Sequence, residues 1–257
     1  MTAPALSKFL LTGQCAVITG GGSGIGRAAA LLFAAAGAGV AIIGIDGDKA
    51  REVADEVRAA GGTAEAYATD VSDEPAMERT MAAIAARFGA IDILINNAAI
   101  AIRADALSMP LEDWNKVVTV NLTGMFIAAR LAGRLMRGRG GAVVNTASIV
   151  GLSGGLFPNI AYQTTKGGVV NMTRALALEW AGENIRVNAV APTFVRTPFI
   201  APLMADKARL QVILDATPMG RLAEPEEVAH AMLFLASPAA AMITGVILPV
   251  DGGFLAR

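Results

Sequence analysis

The sequence predicts an α/β fold, a doubly wound and mainly parallel seven-stranded sheet in a single domain. Three observations point to it. Short apolar runs alternate with helix-like segments through almost all of the 257 residues. The runs lack the polar–apolar alternation of half-exposed strands, as expected of parallel strands covered by helices on both faces. A glycine turn, Thr19-Gly20-Gly21-Gly22-Ser23-Gly24-Ile25-Gly26, lies between the first run, Ala16-Val17-Ile18, and an Ala-rich segment over 27–36. Right-handed crossovers join such units into a doubly wound, Rossmann-type sheet.

Each element has its own warrant. The glycine turn brings bare backbone N–H groups and a helix N-terminus up to an anion, usually a phosphate. A merely flexible connector is the competing explanation. Residues 40–45 form the second strand and end at Asp46; a helix is expected over 48–60, stopped by Gly61-Gly62. The third strand spans 64–68 and leads to Asp70. A helix over 73–88 carries Pro75 in its first turn. The fourth strand, 91–95, ends in Asn96-Asn97-Ala98-Ala99, and one long helix is expected over 111–137. Strands over 141–146, 185–190 and 245–250 and helices over 161–180 and 225–236 complete the set. Residues 193–220, with Pro198, Pro202 and Pro218, form the longest irregular stretch. They follow the sixth strand at the carboxyl edge of the sheet, where ligands bind. A mobile substrate lid is therefore expected there, on one nucleotide-binding domain covering 1–257.

Composition narrows the classes. Apolar residues make up 54% and charged residues 17%, which suits a substantial core. A net charge of −1 offers no basic field for nucleic acid or anionic lipid. The apolar stretch 28–45 is broken by Gly37 and Gly39, so it reads as a buried helix and strand rather than a membrane span. Residues 1–12 lack the features of a signal peptide. The single cysteine, Cys15, opens the first strand, is expected in the core, and suits a reducing, cytoplasmic setting. No His/Cys/acid cluster with metal spacing occurs, and the sole histidine, His230, is expected at the surface or in packing.

Two further features suggest chemistry. Asp46 lies where an acid would accept hydrogen bonds from the adenosine ribose of a dinucleotide, favouring NAD over NADP. Asp48 is expected to cap the next helix, leaving Asp46 for the ribose. Arg27 and Arg51 are the cations that would instead suit NADP. Tyr162 and Lys166 stand at i and i+4 on a predicted helix and so share a face. A nearby ammonium lowers a phenol's pKa; reaching neutrality needs about three units, roughly 4 kcal/mol. A surface pair at helical spacing is the alternative.

Together these motifs resemble the short-chain dehydrogenase/reductase family over nearly the whole chain. Thr19 to Gly26 resembles its cofactor turn, with Gly20, Ser23, Gly24, Ile25 and Gly26 as the binding positions. Asp70-Val71 resembles its adenine-contacting pair, and Asn96-Asn97-Ala98-Ala99 its fourth-strand motif, with Ala99 for the usual glycine. Asn97 and Ala98 are thereby implied in cofactor binding. Asn121, Ser148, Tyr162 and Lys166 fall on the family's catalytic tetrad. Asn188 to Pro192 matches the sixth-strand motif, with Thr193 where glycine is usual; Val195 and Thr197 match positions that meet the nicotinamide carboxamide. Thr244-Gly245 and Asp251-Gly252-Gly253 match the closing strand. The interval from Ser148 to Tyr162 is one residue longer than the family pattern, which leaves Ser153 as the rival serine. Ala99 is expected to alter packing only.

The resemblance implies hydride transfer between a secondary alcohol, or its ketone, and NAD. Tyr162 is the general base and Ser148 holds the substrate oxygen; Lys166, with the positively charged nicotinamide, lowers the phenol pKa and holds the nicotinamide ribose; Asn121 interrupts its helix and positions a water that links Lys166 to solvent. The pocket is expected to be lined by 100–103, 149–157 and 194–214, with Arg103 and Arg196 as its nearby cations. The wording around 191–198 and 217–221 is most like the polyol and sugar-acid dehydrogenases. A 3-oxoacyl thioester reductase is the runner-up, and a non-catalytic NAD-binding regulatory protein a reading of another class. The helices over 111–137 and 161–180 are implied to build a homotetramer, or are simply well buried.

Overall fold

The computed structural model describes residues 6–257. The part of the signal-peptide reading that rests on residues 1–5 lies outside them. Seven strands form one sheet in the order β3-β2-β1-β4-β5-β6-β7, every neighbouring pair parallel. They are β1 Cys15–Thr19, β2 Gly39–Gly44, β3 Thr63–Ala68, β4 Ile93–Asn96, β5 Gly141–Thr146, β6 Ile185–Pro192 and β7 Ile247–Val250. The order reverses between β1 and β4, and the crevice at such a switch point is where ligands bind.

One face of the sheet is covered by α1 (Gly24–Ala35), α2 (Gly47–Ala59) and α9 (Pro225–Ala236). The other is covered by α3 (Glu74–Phe88), α4 (Leu111–Val118), α5 (Met125–Met136) and α6 (Ile160–Trp180). The central strands β1, β4 and β5 are buried nearly throughout, which explains their unbroken apolar wording. The edge strand β3 departs from that expectation. Its Glu65 faces outward and pairs with Arg87 at 3.1 Å.

Local chemistry sets the helix ends. Asp73 caps α3 by accepting from Ala76 N–H at 3.0 Å, with Pro75 in the first turn, and Gly89 ends it at φ +82°. The expected cap of α2 is corrected. β2 stops at Gly44 and the chain runs extended through Asp46, so Asp46 falls at the N-cap, immediately before the first helical residue, Gly47. It accepts from Lys49 N–H at 3.2 Å and pairs with Lys49 Nζ at 2.9 Å. Asp48 instead begins the helix.

Two long segments are subdivided. The helix over 111–137 is α4 and α5 joined by a π-helical turn, Thr119–Gly124, so it is interrupted at Asn121 as the resemblance implied. The stretch 193–220 is not irregular: it holds a short 3₁₀ turn, Pro198–Ile200, then α7 (Ala201–Ala205) and α8 (Lys207–Ala216). Pro198 and Pro202 sit at element starts, where a missing N–H is tolerated, and Pro218 lies in the turn just past the C-cap of α8. Ile200, Leu203, Ile213 and Leu222 form a small apolar cluster of their own beneath these helices. No helix among the described residues is long and apolar enough to cross a membrane.

Candidate active site

The site begins at the glycine turn. Gly20 and Gly24 have φ of +64° and +51°, a region costly for residues with a Cβ. Gly26 has a different reason. A Cβ there would stand 2.2 Å from the Gly20 carbonyl oxygen, so its glycine lets α1 pack against the turn. Ser23 is the N-cap of α1 but makes no side-chain capping bond. The first N–H groups of α1 thus remain available to an anion.

Strand ends brace the turn from below. Thr19 Oγ1 accepts from Asn97 N–H at 2.9 Å and Ala98 N–H at 3.1 Å. Asn97 Nδ2 donates to the carbonyls of Thr19 and Gly20, each at 3.3 Å, and its Oδ1 accepts from Thr146 Oγ1 at 3.2 Å. This ties the carboxyl ends of β1, β4 and β5 together. From the other side, the Thr197 side chain seats against Gly24, where a Cβ would find it at 3.0 Å. The start of the 193–220 segment therefore rests on the glycine turn.

The reactive side chains come from β5 and α6. Ser148 follows β5 and is 8% exposed. Lys166 is 1% exposed; its Nζ donates to the Thr146 carbonyl at 2.6 Å and lies 5.4 Å from the Tyr162 ring centroid. The i,i+4 spacing does bring the two onto one face, which here is inward. Burial decides both ionisations. It pushes the Tyr162 phenol up to about 12, against the opposing pull of Ser148 and the Arg103 charge. It pushes Lys166 down to about 7. The expected lowering of the Tyr162 pKa rests on Lys166 together with a positively charged nicotinamide, and the side chains alone do not supply it. A desolvated lysine favours its neutral form and supplies little charge.

These groups share a cavity of about 270 Å³. The structure brings to it Gly20, Ser23, Gly24 and Ile25 from the turn, Asn97 and Ala98 from β4, Ser148, Tyr162 and Lys166, and Val195 and Thr197 beyond β6. Five predicted positions stand outside it. Gly26 is a packing residue. Asp46 is exposed and engaged with Lys49. Asp70 Oδ1 is held by the N–H and hydroxyl of Ser72, at 2.9 and 2.7 Å. Val71 is buried against Gly124 of the π-helical turn. Asn121 is fully buried, exchanging bonds with Ile100 N–H at 2.8 Å and the Ile100 carbonyl at 2.9 Å. Its side chain pins the loop after β4, and its Nδ2 also lies 3.3 Å from Thr165 Oγ1.

Other details shift as well. Ser153 lies outside the cavity, donating to the Ile149 carbonyl at 2.9 Å. Arg103 lines the cavity, but Arg196 turns away to Glu224 at 2.9 Å. Leu152 is exposed and not part of the lining, and Ala99, expected only to change packing, is. Sequence reasoning missed Asn159, which lines the cavity and whose buried Oδ1 has no partner, and the similarly unpartnered Thr193 hydroxyl. The replacement of glycine at 193 was the signal for the second; nothing in the wording marked the first. Cys15 is buried, with its thiol pushed up to about 12 by burial and then by the Asp92 charge, and so is inert.

The donor set fits a nicotinamide dinucleotide: an uncapped helix N-terminus and a cradle that no Cβ could share at one end, and a serine–tyrosine–lysine group at the other. The comparisons agree. Residues 20–255 match the family model described as enoyl-(acyl carrier protein) reductase. A galactitol 2-dehydrogenase (L-tagatose-forming) of Cereibacter sphaeroides is 45% identical over 96% of each chain. A short-chain type dehydrogenase/reductase from Mycobacterium marinum superposes with a TM-score of 0.94 at 36% identity, covering 98% of this chain and 99% of that one. A gluconate 5-dehydrogenase from Burkholderia cenocepacia, in complex with NADP and tartrate, gives 0.95 at 35%, with the same coverages.

The chain belongs to the short-chain dehydrogenase/reductase family, oxidoreductases that work with nicotinamide cofactors. Within it, the similarity falls in the polyol and sugar-acid dehydrogenase branch.

Proposed function

We propose that the protein transfers hydride between a secondary alcohol, or its ketone, and NAD. The observation that carries this is the convergence of Ser148, Tyr162 and Lys166 on the cavity that also reaches the glycine turn. When bound, the oxidised nicotinamide supplies the hydride acceptor and a positive charge beside the phenol. Tyr162 takes the alcohol proton as general base, and Ser148 holds the same substrate oxygen. Lys166, anchored on Thr146, orients the phenol and shares its proton equilibrium. Asn121 sets the loop that forms one wall.

The turn residues Gly20, Ser23, Gly24 and Ile25 take the pyrophosphate, with Gly26 holding α1 close. Asp70 and Val71 flank the adenine end; Asn97, Ala98, Val195 and Thr197 flank the nicotinamide. The preference for NAD rests on Asp46, a carboxylate at the end of β2 that a 2′-phosphate would have to approach. Its pairing with Lys49 moderates that repulsion, and some structural relatives carry bound NADP, so NADP is retained as a second, lesser coenzyme.

Residues 193–220 act as a substrate lid on a single domain. Exposed Leu178, Phe126 and Leu135 on α6 and α5 support a homotetramer built through those helices. A cytoplasmic location suits the lone, buried Cys15. A screen of polyols, sugar acids, simple secondary alcohols and a 3-oxoacyl thioester, each with NAD and NADP in the matching redox state, tests the function. Turnover of an alcohol with NAD is expected. Turnover of the thioester alone would favour the runner-up, and nucleotide binding without any turnover would leave a regulatory role.

A further inference from the structure

One charged group in the cavity has no part in the chemistry above. Arg103 comes from the loop between β4 and α4 and is half-buried. It makes no ion pair or hydrogen bond with the described residues, and its guanidinium lies over the Phe199 ring, 5.8 Å from the centroid. All five of its N–H donors are therefore unengaged. Neighbouring arginines are not in this state: Arg196 is paired with Glu224 at 2.9 Å and Arg209 with Asp206 at 3.3 Å. Among the described residues lining the cavity there is no aspartate or glutamate.

A partly desolvated guanidinium without an anion is unfavourable, and burial lowers its pKa accordingly. The fold nevertheless holds it in place. The Asn121 carboxamide grips Ile100 by both its N–H and its carbonyl, three residues before Arg103. Phe199 packs under the guanidinium and also touches the Tyr162 ring, centroid to centroid 5.7 Å. Guanidinium and phenol thus flank one aromatic ring, and the Arg103 charge is felt at Tyr162. The other cavity cation, Lys166, is bound to Thr146, and the Gln163 amide is bound to the carbonyls of Gly154 and Phe157, at 2.8 and 3.2 Å.

We propose that the substrate is a hydroxy-carboxylate, its carboxylate held by Arg103 while its carbinol sits between Ser148 and Tyr162. This rests on the alcohol-oxidoreductase reading above and names its substrate class. The guanidinium fork matches a carboxylate in two parallel N–H···O bonds. A neutral polyol would leave that fork unpaired. Arg103 is a specificity residue that exchanges neither proton nor hydride with the substrate, so it acts on KM more than on kcat.

The test has a binding arm and a turnover arm. With the NAD-loaded enzyme, calorimetry compares gluconate and cyclohexanecarboxylate with their neutral amides, in wild type, Arg103→Met and Arg103→Lys. A carboxylate is expected to bind at least about 10-fold tighter than its amide, lost in Arg103→Met and partly kept in Arg103→Lys. In turnover, hydroxy acids should outrun the matching alditols, and Arg103→Met should raise their KM about 10- to 100-fold with kcat little changed. Thermal unfolding of each variant checks that it folds. Carboxylates that bind no better than amides, or an Arg103→Met variant that binds them as wild type does, overturn the proposal. Arginine-dependent carboxylate binding with no alcohol turned over would instead refute the oxidoreductase reading and leave this site standing.

Discussion

Lys166→Met should stabilise the protein in mild acid and destabilise it in base. Burial moves the Lys166 pKa from its ordinary 10.5 to about 7. The sign follows from proton counts. Between pH 7 and 10.5 the unfolded chain carries the lysine proton and the folded chain does not, so stability rises with pH across that window. Below pH 7 the full deficit is present, roughly 4–5 kcal/mol at about 1.4 kcal/mol per unit. Methionine removes it, but leaves the Thr146 carbonyl without its donor at 2.6 Å. That loss is worth about 1–3 kcal/mol. The net gain at pH 6 is then roughly 1–4 kcal/mol, or about 2–15 °C in Tm for a chain of this size. Above pH 10 only the loss remains, and the order of the two proteins reverses. Tyr162, with its pKa raised to about 12, lowers stability between about pH 10 and 12 in both proteins alike. Thermal unfolding of nucleotide-free wild type and variant at pH 6 and pH 10 reads the crossover. A variant less stable at pH 6, or a difference that does not change with pH, would refute the argument.

Two other substitutions probe the cofactor end. Asp46→Ala should raise the relative efficiency with NADP by about 10-fold, since it removes one carboxylate near the ribose; coenzyme kinetics with both nucleotides would expose an unchanged ratio and so exclude that role. The same change removes the α2 cap, with a stability loss of about 1 kcal/mol expected by thermal unfolding. Gly26→Ala forces a methyl to within 2.2 Å of the Gly20 carbonyl, so the turn and α1 must separate. Overpacking of this kind costs about 1–3 kcal/mol; nucleotide affinity by fluorescence titration should fall at least about 10-fold, and wild-type affinity would show that the close approach is dispensable.

Much of this was legible in the chain. The central strands are buried on both sides, so their burial pattern is written directly as apolar runs. The glycine turn and the Tyr162–Lys166 pair carry spacings whose place in the strand–helix order pointed to the observed local geometry. What escaped depends on competition between neighbours or on long-range contacts. Asp46 and Asp48 are equally good caps by type, and only the point where β2 stops decides between them. The helices α7 and α8 were hidden because Pro198, Pro202 and Pro218 suggested irregular backbone, yet each marks the edge of an element. The apolar character of 194–214 suggested a substrate wall, but part of it packs on itself beneath α7 and α8. The i,i+4 spacing of Tyr162 and Lys166 made their proximity legible, but not the desolvation that dominates their ionisation in the cofactor-free chain. The free state of Arg103 depends on what the rest of the cavity lacks, which no local pattern records.

The account stands most directly on Tyr162 as the acid–base group. Tyr162→Phe keeps the ring against Phe199 and the buried volume, and removes only the phenol oxygen. Turnover of the best alcohol from the screen should fall by roughly 10²- to 10⁴-fold, with NAD affinity within about twofold of wild type. A variant that binds NAD and still turns over near the wild-type rate would contradict the mechanism.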